Sequence, residues 1–323
     1  MRIGILGAAT IAPTALIGPA AAVPEVEVTA IAARDRTRAE AFARKHGIAQ
    51  VHDSYADLLT AVDAVYIPLP NSLHARWTLQ ALAAGRHVLC EKPLTANAAE
   101  AVQVADEARR TGLTVMEAFH YRYHPLAERM REIAATELGE IRRVESSMCF
   151  PLPKFGDIRY RLDLAGGATM DAGCYAIHSM RLFDPGRPVV TGARALLRSP
   201  GVDRAMTADF RFPSGAEGRI TASMWSRSLL RIGLRVEGER GTMKVFNHVL
   251  PQAFHRLTVT VDGVTRRERI PGEATYVRQL RAFASAVAGA DTNLTPPSDS
   301  VINMELIDEV YRAAGLEPRG SVS

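Results

Sequence analysis

Gly4-Ile5-Leu6-Gly7-Ala8-Ala9-Thr10-Ile11-Ala12 is the stretch that decides the fold. It closes a short apolar run at 3–6 and opens a helical pattern that continues to about residue 22. A dinucleotide fingerprint needs a tight turn after the first strand, close approach of backbone to a pyrophosphate, and a small residue where helix meets strand. Gly7 supplies the turn and Ala12 the helix–strand contact. Between them, Ala8, Ala9, Thr10 and Ile11 carry the backbone that would face the phosphates. Ala9 stands where a second glycine is usual, so the motif departs from its pattern by one methyl group. Outward from this turn, strand patterns at 26–33, 64–67, 87–90 and 114–118, and a weak one near Val51, alternate with helical patterns at 36–46, 73–84 and 98–111. Such alternation predicts a parallel sheet with helices on both faces.

The end of the second strand selects the cofactor. NAD sites place an acid there to hold the ribose 2′-hydroxyl, whereas NADP sites offer an Arg to the 2′-phosphate. Here the order is Ala32-Ala33-Arg34-Asp35, with Arg38 one helical turn on. A guanidinium binds phosphate through two parallel N–H bonds and stacks on a flat ring. The expectation is NADP. NAD stays open as the alternative, because a shift of one residue would present Asp35 to the ribose. Asp35 also suits a helix N-cap, a role compatible with Arg34 on the phosphate.

Composition removes several other classes. A chain of 323 residues suggests two domains. Its 47% hydrophobic and 23% charged content is ordinary for a globular protein. The net charge of +4 is spread thinly. Its densest clusters, Arg34, Arg36, Arg38 and Arg266, Arg267, Arg269, are too short for a nucleic-acid face. No run approaches the roughly 18 apolar residues of a membrane span, and the amino-terminal segment is broken by Gly and Pro, unlike a signal peptide. Cys90, Cys149 and Cys174 show neither metal-ligand nor redox spacing, so a reducing, cytoplasmic setting and no metal are expected. Only four of the 39 basic residues are Lys: Lys45, Lys92, Lys154 and Lys244. Lysine, unlike arginine, titrates under the influence of burial and neighbours, which directs attention to Lys92.

Two constellations carry chemistry. His87-Val88-Leu89-Cys90-Glu91-Lys92-Pro93 runs off the carboxyl end of a strand, the edge that faces the ligand crevice in parallel sheets. Alone, Lys92 would read as a surface residue opening a turn; that position turns the odds toward function. The second is Ala165-Gly166-Gly167-Ala168-Thr169-Met170-Asp171-Ala172-Gly173-Cys174-Tyr175-Ala176-Ile177-His178. Its small residues permit tight approach of the backbone to something bulky. On a regular helix Asp171, Tyr175 and His178 would share one face. A carboxylate, a phenol and an imidazole there form a plausible proton-handling group. The structural alternative is an N-capped helix with Asp171 as the cap and His178 in the core, and for His178 that alternative is preferred.

Together these motifs resemble the glucose–fructose oxidoreductase, inositol dehydrogenase and rhizopine-catabolism family (Gfo/Idh/MocA). The resemblance also rests on Pro70-Asn71-Ser72-Leu73-His74 and on Met116-Glu117-Ala118-Phe119-His120-Tyr121-Arg122-Tyr123-His124-Pro125, and covers more than half the chain. The Gly173-Cys174-Tyr175 variant is similar to the branch holding glucose–fructose oxidoreductase, dihydrodiol dehydrogenases and sugar ketoreductases. The resemblance implies Tyr175 as acid/base, Lys92 as its charge-tuning partner, and Asp171 as an orienting residue. It implies that Pro70, Asn71 and His74 line the cofactor, that Glu91 supports the site, and that the bond before Pro93 is cis. It places Tyr121, Arg122 and Arg159 toward the substrate, together with Asp171 and Tyr175. The magnitudes are compatible. Bringing a Tyr from a pKa of about 10 to neutrality takes roughly 4 kcal/mol, and one ammonium at about 4 Å supplies about that much at an effective dielectric near 20.

From Glu140 onward strand signals dominate, at 141–150, 189–197, 206–212, 218–225, 230–237, 243–246, 256–261 and 265–270, followed by helical segments at 276–287 and 300–314. The expected architecture is an α/β Rossmann amino-terminal domain (1–119, cofactor binding) followed by an α+β domain with a large open, mostly antiparallel sheet (120–323, substrate binding and dimerisation). The closing helices could pack back on the first domain. An open sheet has a face to cover, so a homodimer or dimer of dimers is expected. The implied function is hydride transfer at a carbinol carbon of a sugar, keto-sugar or cyclic diol. The rivals are an NAD-dependent inositol or polyol dehydrogenase and a non-catalytic NADP-binding regulator. The regulator would be expected to lack Lys92 and Tyr175, which this chain has.

Overall fold

The computed structural model describes residues 1–184 and 186–320. The chain divides into two units. The first is Met1–Tyr123 with Tyr276–Val301; the second is His124–Thr275 with the chain from Ile302 onward.

In the first unit β1 (Arg2–Leu6), β2 (Glu27–Ala32), β3 (Gln50–His52), β4 (Ala64–Ile67), β5 (His87–Cys90) and β6 (Val115–Glu117) form one sheet in the order β3-β2-β1-β4-β5-β6. All its pairings are parallel. Side chains alternate across a strand, so the apolar runs build two cores. Ile3, Ile5, Tyr66 and Leu89 face one side and meet Leu16, Leu280 and Phe283. Leu6, Val65, Ile67, Val88 and Cys90 face the other, against Leu58, Leu82 and Val104. The helices Arg36–His46 and Ala98–Thr111 have the limits expected from the sequence. The helix after the Gly7 turn differs. It is a π-turn at Pro13–Ile17 followed by the short α-turn Gly18–Ala20. Pro19 has no N–H to donate and its ring crowds the preceding turn, and the Gly18 N–H reaches back to the Pro13 carbonyl.

The second unit holds β7 (Ile141–Cys149), β8 (Val189–Ser199), β9 (Val202–Arg211), β10 (Glu217–Ser223), β11 (Arg231–Gly238), β12 (Gly241–Phe246), β13 (Arg256–Val261) and β14 (Val264–Glu268). Their order is β14-β13-β12-β11-β7-β10-β9-β8. Only β7 and β10 pair in parallel; the other pairings are antiparallel. Burial alternates along β10 and β12, as expected of a sheet packed on one face. The helix Cys174–Met180 lies on that packed face, where Ser179 Oγ meets Ser146 Oγ of β7 at 2.9 Å. This is the expected fold: a Rossmann sheet followed by a mostly antiparallel one.

Candidate active site

In the first unit the strand order reverses between β1 and β4, the point at which parallel sheets open a crevice at their carboxyl ends. Gly7 follows β1 with φ of 100°, a backbone region that favours glycine, and its N–H donates to the Ala32 carbonyl at 2.7 Å. A Cβ at Gly7 would press on Leu69 Cδ2 at 3.0 Å. Ala8 and Ala9 are half-buried; Thr10 and Ile11 are exposed. Arg38 donates from Nη2 to the Ala8 carbonyl at 3.0 Å, which ties the end of β2 to the turn. Asp35 caps the helix Arg36–His46, accepting from the Arg38 N–H at 3.2 Å. Arg36 is held by Glu40 and Asp53. Arg34 stands exposed at the same strand end.

Beyond β4, Pro70 precedes the 3₁₀ turn Asn71–Leu73, and both Pro70 and Asn71 are half-buried. His74 is placed differently from a cofactor-lining residue. It is 1% exposed, and its ring lies between the carbonyls of Leu69 and Pro93, 2.7 Å from each. It braces the loops after β4 and β5. The Lys92–Pro93 peptide is cis. Glu91 accepts from the buried Tyr66 phenol at 2.6 Å. Leu94, two residues past Lys92, donates its N–H to Glu117 Oε1 at 2.9 Å, and Ser300 Oγ donates to Glu117 Oε2 at 2.5 Å. His120 lies against the Tyr276 ring, 4.1 Å between centroids. Burial, with the charge of Lys92, pushes the His120 pKa down to about 3, and the same two causes lower that of His74. Lys92 is therefore accompanied by a neutral imidazole at His120. Tyr121 is fully buried, edge-on to Phe119 with centroids 6.4 Å apart; Arg122 is half-buried in the same turn.

In the second unit the helix bearing Tyr175 starts earlier than an Asp171 cap would require. Its N-cap is Ala168, and Thr169–Gly173 form a π-turn that runs into Cys174–Met180. Asp171 thus lies inside the first turn, and the wider π-turn breaks the regular four-and-three spacing to Tyr175 and His178. Asp171 pairs with Arg159: Nε to Oδ2 is 3.2 Å, and the Asp171 charge is the main cause raising the Arg159 pKa. Arg159 also meets Asp157 Oδ1 at 3.3 Å. Tyr175 is 5% exposed and His178 is buried. Gly166 and Gly167 let the chain pack closely on neighbouring backbone and side chains. Gly166 and Gly167 donate their N–H groups to the Arg161 and Arg159 carbonyls, each at 2.8 Å. Gly167 has φ of 135°, and a Cβ there would overlap the Asp203 carboxylate. Asp203 accepts from both N and Oγ1 of Thr169 at 2.7 Å, which anchors the start of the helix.

Sequence reasoning overlooked Glu117, Tyr66 and Asp203 as residues that shape these surfaces. A carboxylate closing the apolar β6 and a phenol within the apolar β4 are signals that could have raised the first two. Asp203 has no local signal. Among the described residues no group of three or more His, Cys, Asp or Glu could hold a metal ion, and no helix is long and apolar enough to cross a membrane.

A parallel sheet with a glycine turn at its switch point, on a chain that continues into a large open sheet, defines a dinucleotide-binding protein with a second domain. Residues 1–119 match the oxidoreductase family with an NAD-binding Rossmann fold, GFO/IDH/MocA, and residues 128–244 match the GFO/IDH/MocA C-terminal domain. The chain belongs to the GFO/IDH/MocA oxidoreductase family. It is 42% identical over 320 residues, 97% of each chain, to D-xylose 1-dehydrogenase (NADP(+)) 2 of Haloferax volcanii. It is 36% identical over 344 residues, 98% of this chain and 96% of the relative, to dTDP-3,4-didehydro-2,6-dideoxy-α-D-glucose 3-reductase of Streptomyces violaceoruber. The crystal structure of a 3-ketoreductase from Actinomadura kijaniata in complex with NADP and TDP-benzene matches with a TM-score of 0.89 at 32% identity, covering 97% of each chain.

Proposed function

We propose that this protein is an NADP(H)-dependent oxidoreductase that moves a hydride to or from a carbinol carbon of a sugar, keto-sugar or cyclic diol. The observation that carries this reading is the set of residues at the carboxyl ends of the parallel strands: the Gly7 turn after β1, Arg34 after β2 and Lys92 after β5. Full-length likeness to a xylose dehydrogenase and a keto-sugar reductase supports the substrate class.

The residues present fit the cofactor. Gly7 leaves no side chain over the turn, and the backbone of Ala8 to Ile11 would receive the pyrophosphate. Arg34, with Arg38 behind it, would take the 2′-phosphate. Asp35 is engaged as a helix cap, which favours NADP over the NAD-dependent polyol reading. Pro70 and Asn71 would border the nicotinamide end. When bound, the dinucleotide supplies or accepts the hydride. Tyr175 gives its phenolic proton to the developing alkoxide in reduction, or takes the hydroxyl proton in oxidation. Lys92 stabilises the phenolate and polarises the reacting oxygen. Glu91, held by Tyr66, and His74, held by two carbonyls, keep the Lys92 loop in place. The Asp171–Arg159 pair orients substrate hydroxyls.

We further assign the protein to a reducing cytoplasm, in line with the burial of Cys90, Cys149 and Cys174 outside any disulfide. We assign the open sheet to self-association; light scattering showing a monomer at assay concentration would refute that.

The test is a panel of xylose, other aldoses, polyols, keto-sugars and trans-diols, followed by absorbance of the reduced nicotinamide with each coenzyme. Turnover of at least one sugar or diol with NADP(H) is expected. Tyr175→Phe should lose about 10²–10⁴-fold in kcat while binding NADPH normally. Retention of most activity by that variant would refute the assignment of Tyr175.

A further inference from the structure

The helix that bears Asp171 and Tyr175 begins at Thr169, and helix starts leave N–H groups without intrahelical acceptors. The acceptor here is a carboxylate from another element. Asp203 of β9 takes the Thr169 N–H and Oγ1 on Oδ2, both at 2.7 Å. Its Oδ1 accepts from Tyr311 Oη at 3.1 Å and from Arg319 Nη2 at 2.9 Å. The side chains of the Arg319–Asp203 pair are 1% and 0% exposed. Arg319 also donates from Nε to the Gly166 carbonyl at 2.7 Å, donates from Nη1 to the Glu317 carbonyl at 3.3 Å, and lies over the Tyr311 ring at 3.9 Å. Gly166 and Gly167 are in turn bonded to the carbonyls of Arg161 and Arg159. One guanidinium thus joins the cap of the Tyr175 helix to the turn that fixes Arg159, the partner of Asp171.

A buried ion pair is commonly replaceable by apolar groups without loss of stability, so its value lies in direction. The geometry points to Asp203 and Arg319 as positioning residues that set where the Tyr175 phenol and the Arg159–Asp171 pair stand. This inference rests on the acid/base reading of Tyr175. Arg319, close to the carboxyl end of the chain, acts through the helix cap and does not itself handle a proton.

The experiment compares the intact enzyme with Arg319→Met, Arg319→Lys and the double variant Asp203→Asn with Arg319→Met, which leaves no unpaired buried charge. Each is assayed with the fastest substrate of the panel for kcat, KM and the pH midpoint of kcat, and by NADPH fluorescence for coenzyme affinity. Circular dichroism shows which variants fold. Misplacing a reacting group by about 1 Å costs about 10²-fold, so kcat should fall at least about tenfold in Arg319→Met and the double variant, with a displaced pH midpoint. Coenzyme affinity should stay within about two-fold, and Arg319→Lys, which keeps the charge but not the fork that reaches both Asp203 and the Gly166 carbonyl, should fall between wild type and Arg319→Met in kcat, with a smaller displacement of the midpoint. If only Arg319→Lys folds, a reduced kcat with a displaced midpoint supports the inference and wild-type values overturn it. A folded double variant with wild-type kcat and midpoint overturns it, as does parallel loss of kcat and coenzyme affinity. Tyr175→Phe measured alongside separates the failures. Activity in Tyr175→Phe sinks the acid/base reading and this inference with it. Inactivity there beside fully active Asp203 and Arg319 variants sinks only the positioning role.

Discussion

Arg34 stands at the end of β2 with neighbours already engaged: Arg36 by Glu40 and Asp53, Arg38 by the Ala8 carbonyl, Asp35 by the helix it caps. Arg34, exposed at this strand end, is the residue proposed above to meet the 2′-phosphate. Charge-assisted bonds are worth about 1.5–3 kcal/mol, so Arg34→Ala should raise KM for NADPH roughly 10–100-fold. KM for NADH should change little, and steady-state kinetics with both coenzymes checks this. Gly167 offers a stability test of the same grain. Gly167→Ala must place a methyl group into the Asp203 carboxylate at a backbone angle that L-residues rarely adopt. Urea unfolding should show a loss of about 2–4 kcal/mol. Much at this scale was legible. The Gly7 turn, the Asp35 cap and the cis bond before Pro93 are where the sequence places them, because a turn or strand end gives each a local context. The supports were not legible, since each is a meeting of distant positions: Leu94 with Glu117, Thr169 with Asp203, and His74 between Leu69 and Pro93.

Among elements, helices with a cap at one end and a glycine at the other were read to the residue: Arg36–His46 between Asp35 and Gly47, and Ala98–Thr111 between Asn97 and Gly112. The π-turn Thr169–Gly173 was not, because no residue type commands that geometry. It forms where the carboxylate of Asp203 and the Gly167 turn hold the helix start. The helix Pro125–Thr136 illustrates a link the sequence hides. Its Arg129 grips Glu268 of β14 through Nε at 2.8 Å and Nη2 at 2.9 Å, and Arg266 joins Glu268 to Glu137. Bonding from Arg129, then from Arg266, lowers the Glu268 pKa to about 2. A carboxylate depressed in the folded state stabilises above its unfolded pKa, about 4.3, and that contribution fades as pH falls toward 2. Glu268→Gln should therefore cost about 1 kcal/mol at neutral pH, a modest figure because the network is partly exposed. The cost should shrink in acid; denaturant titrations at several pH values give the difference.

On the scale of the whole molecule, each unit buries a histidine that folding keeps neutral. Burial, with Lys92 in the first case and His178 in the second, takes His120 and His248 each down to about 3. A group depressed in this way favours the fold fully above its unfolded pKa, about 6.5, and loses that contribution as pH falls toward 3. Each should contribute about 1.4 kcal/mol per pH unit to the slope of stability near pH 5. His120→Asn or His248→Asn should flatten the slope by one such increment, and a slope unchanged in both would contradict the assignment. The sequence announced a Rossmann sheet followed by an open one because both rest on repeated local patterns. That Tyr276–Val301 completes the first unit rests instead on packing of Leu280 and Phe283 under β1 and on Thr295 and Ser300 bonded to Glu117. During synthesis, the nucleotide fold therefore emerges from the ribosome unfinished. At about 5–20 residues per second, some 8–30 s pass between residue 123 and residue 276. Through that interval the nascent β1 face is covered only in part, by Leu16 and its neighbours, and is a natural client for chaperones.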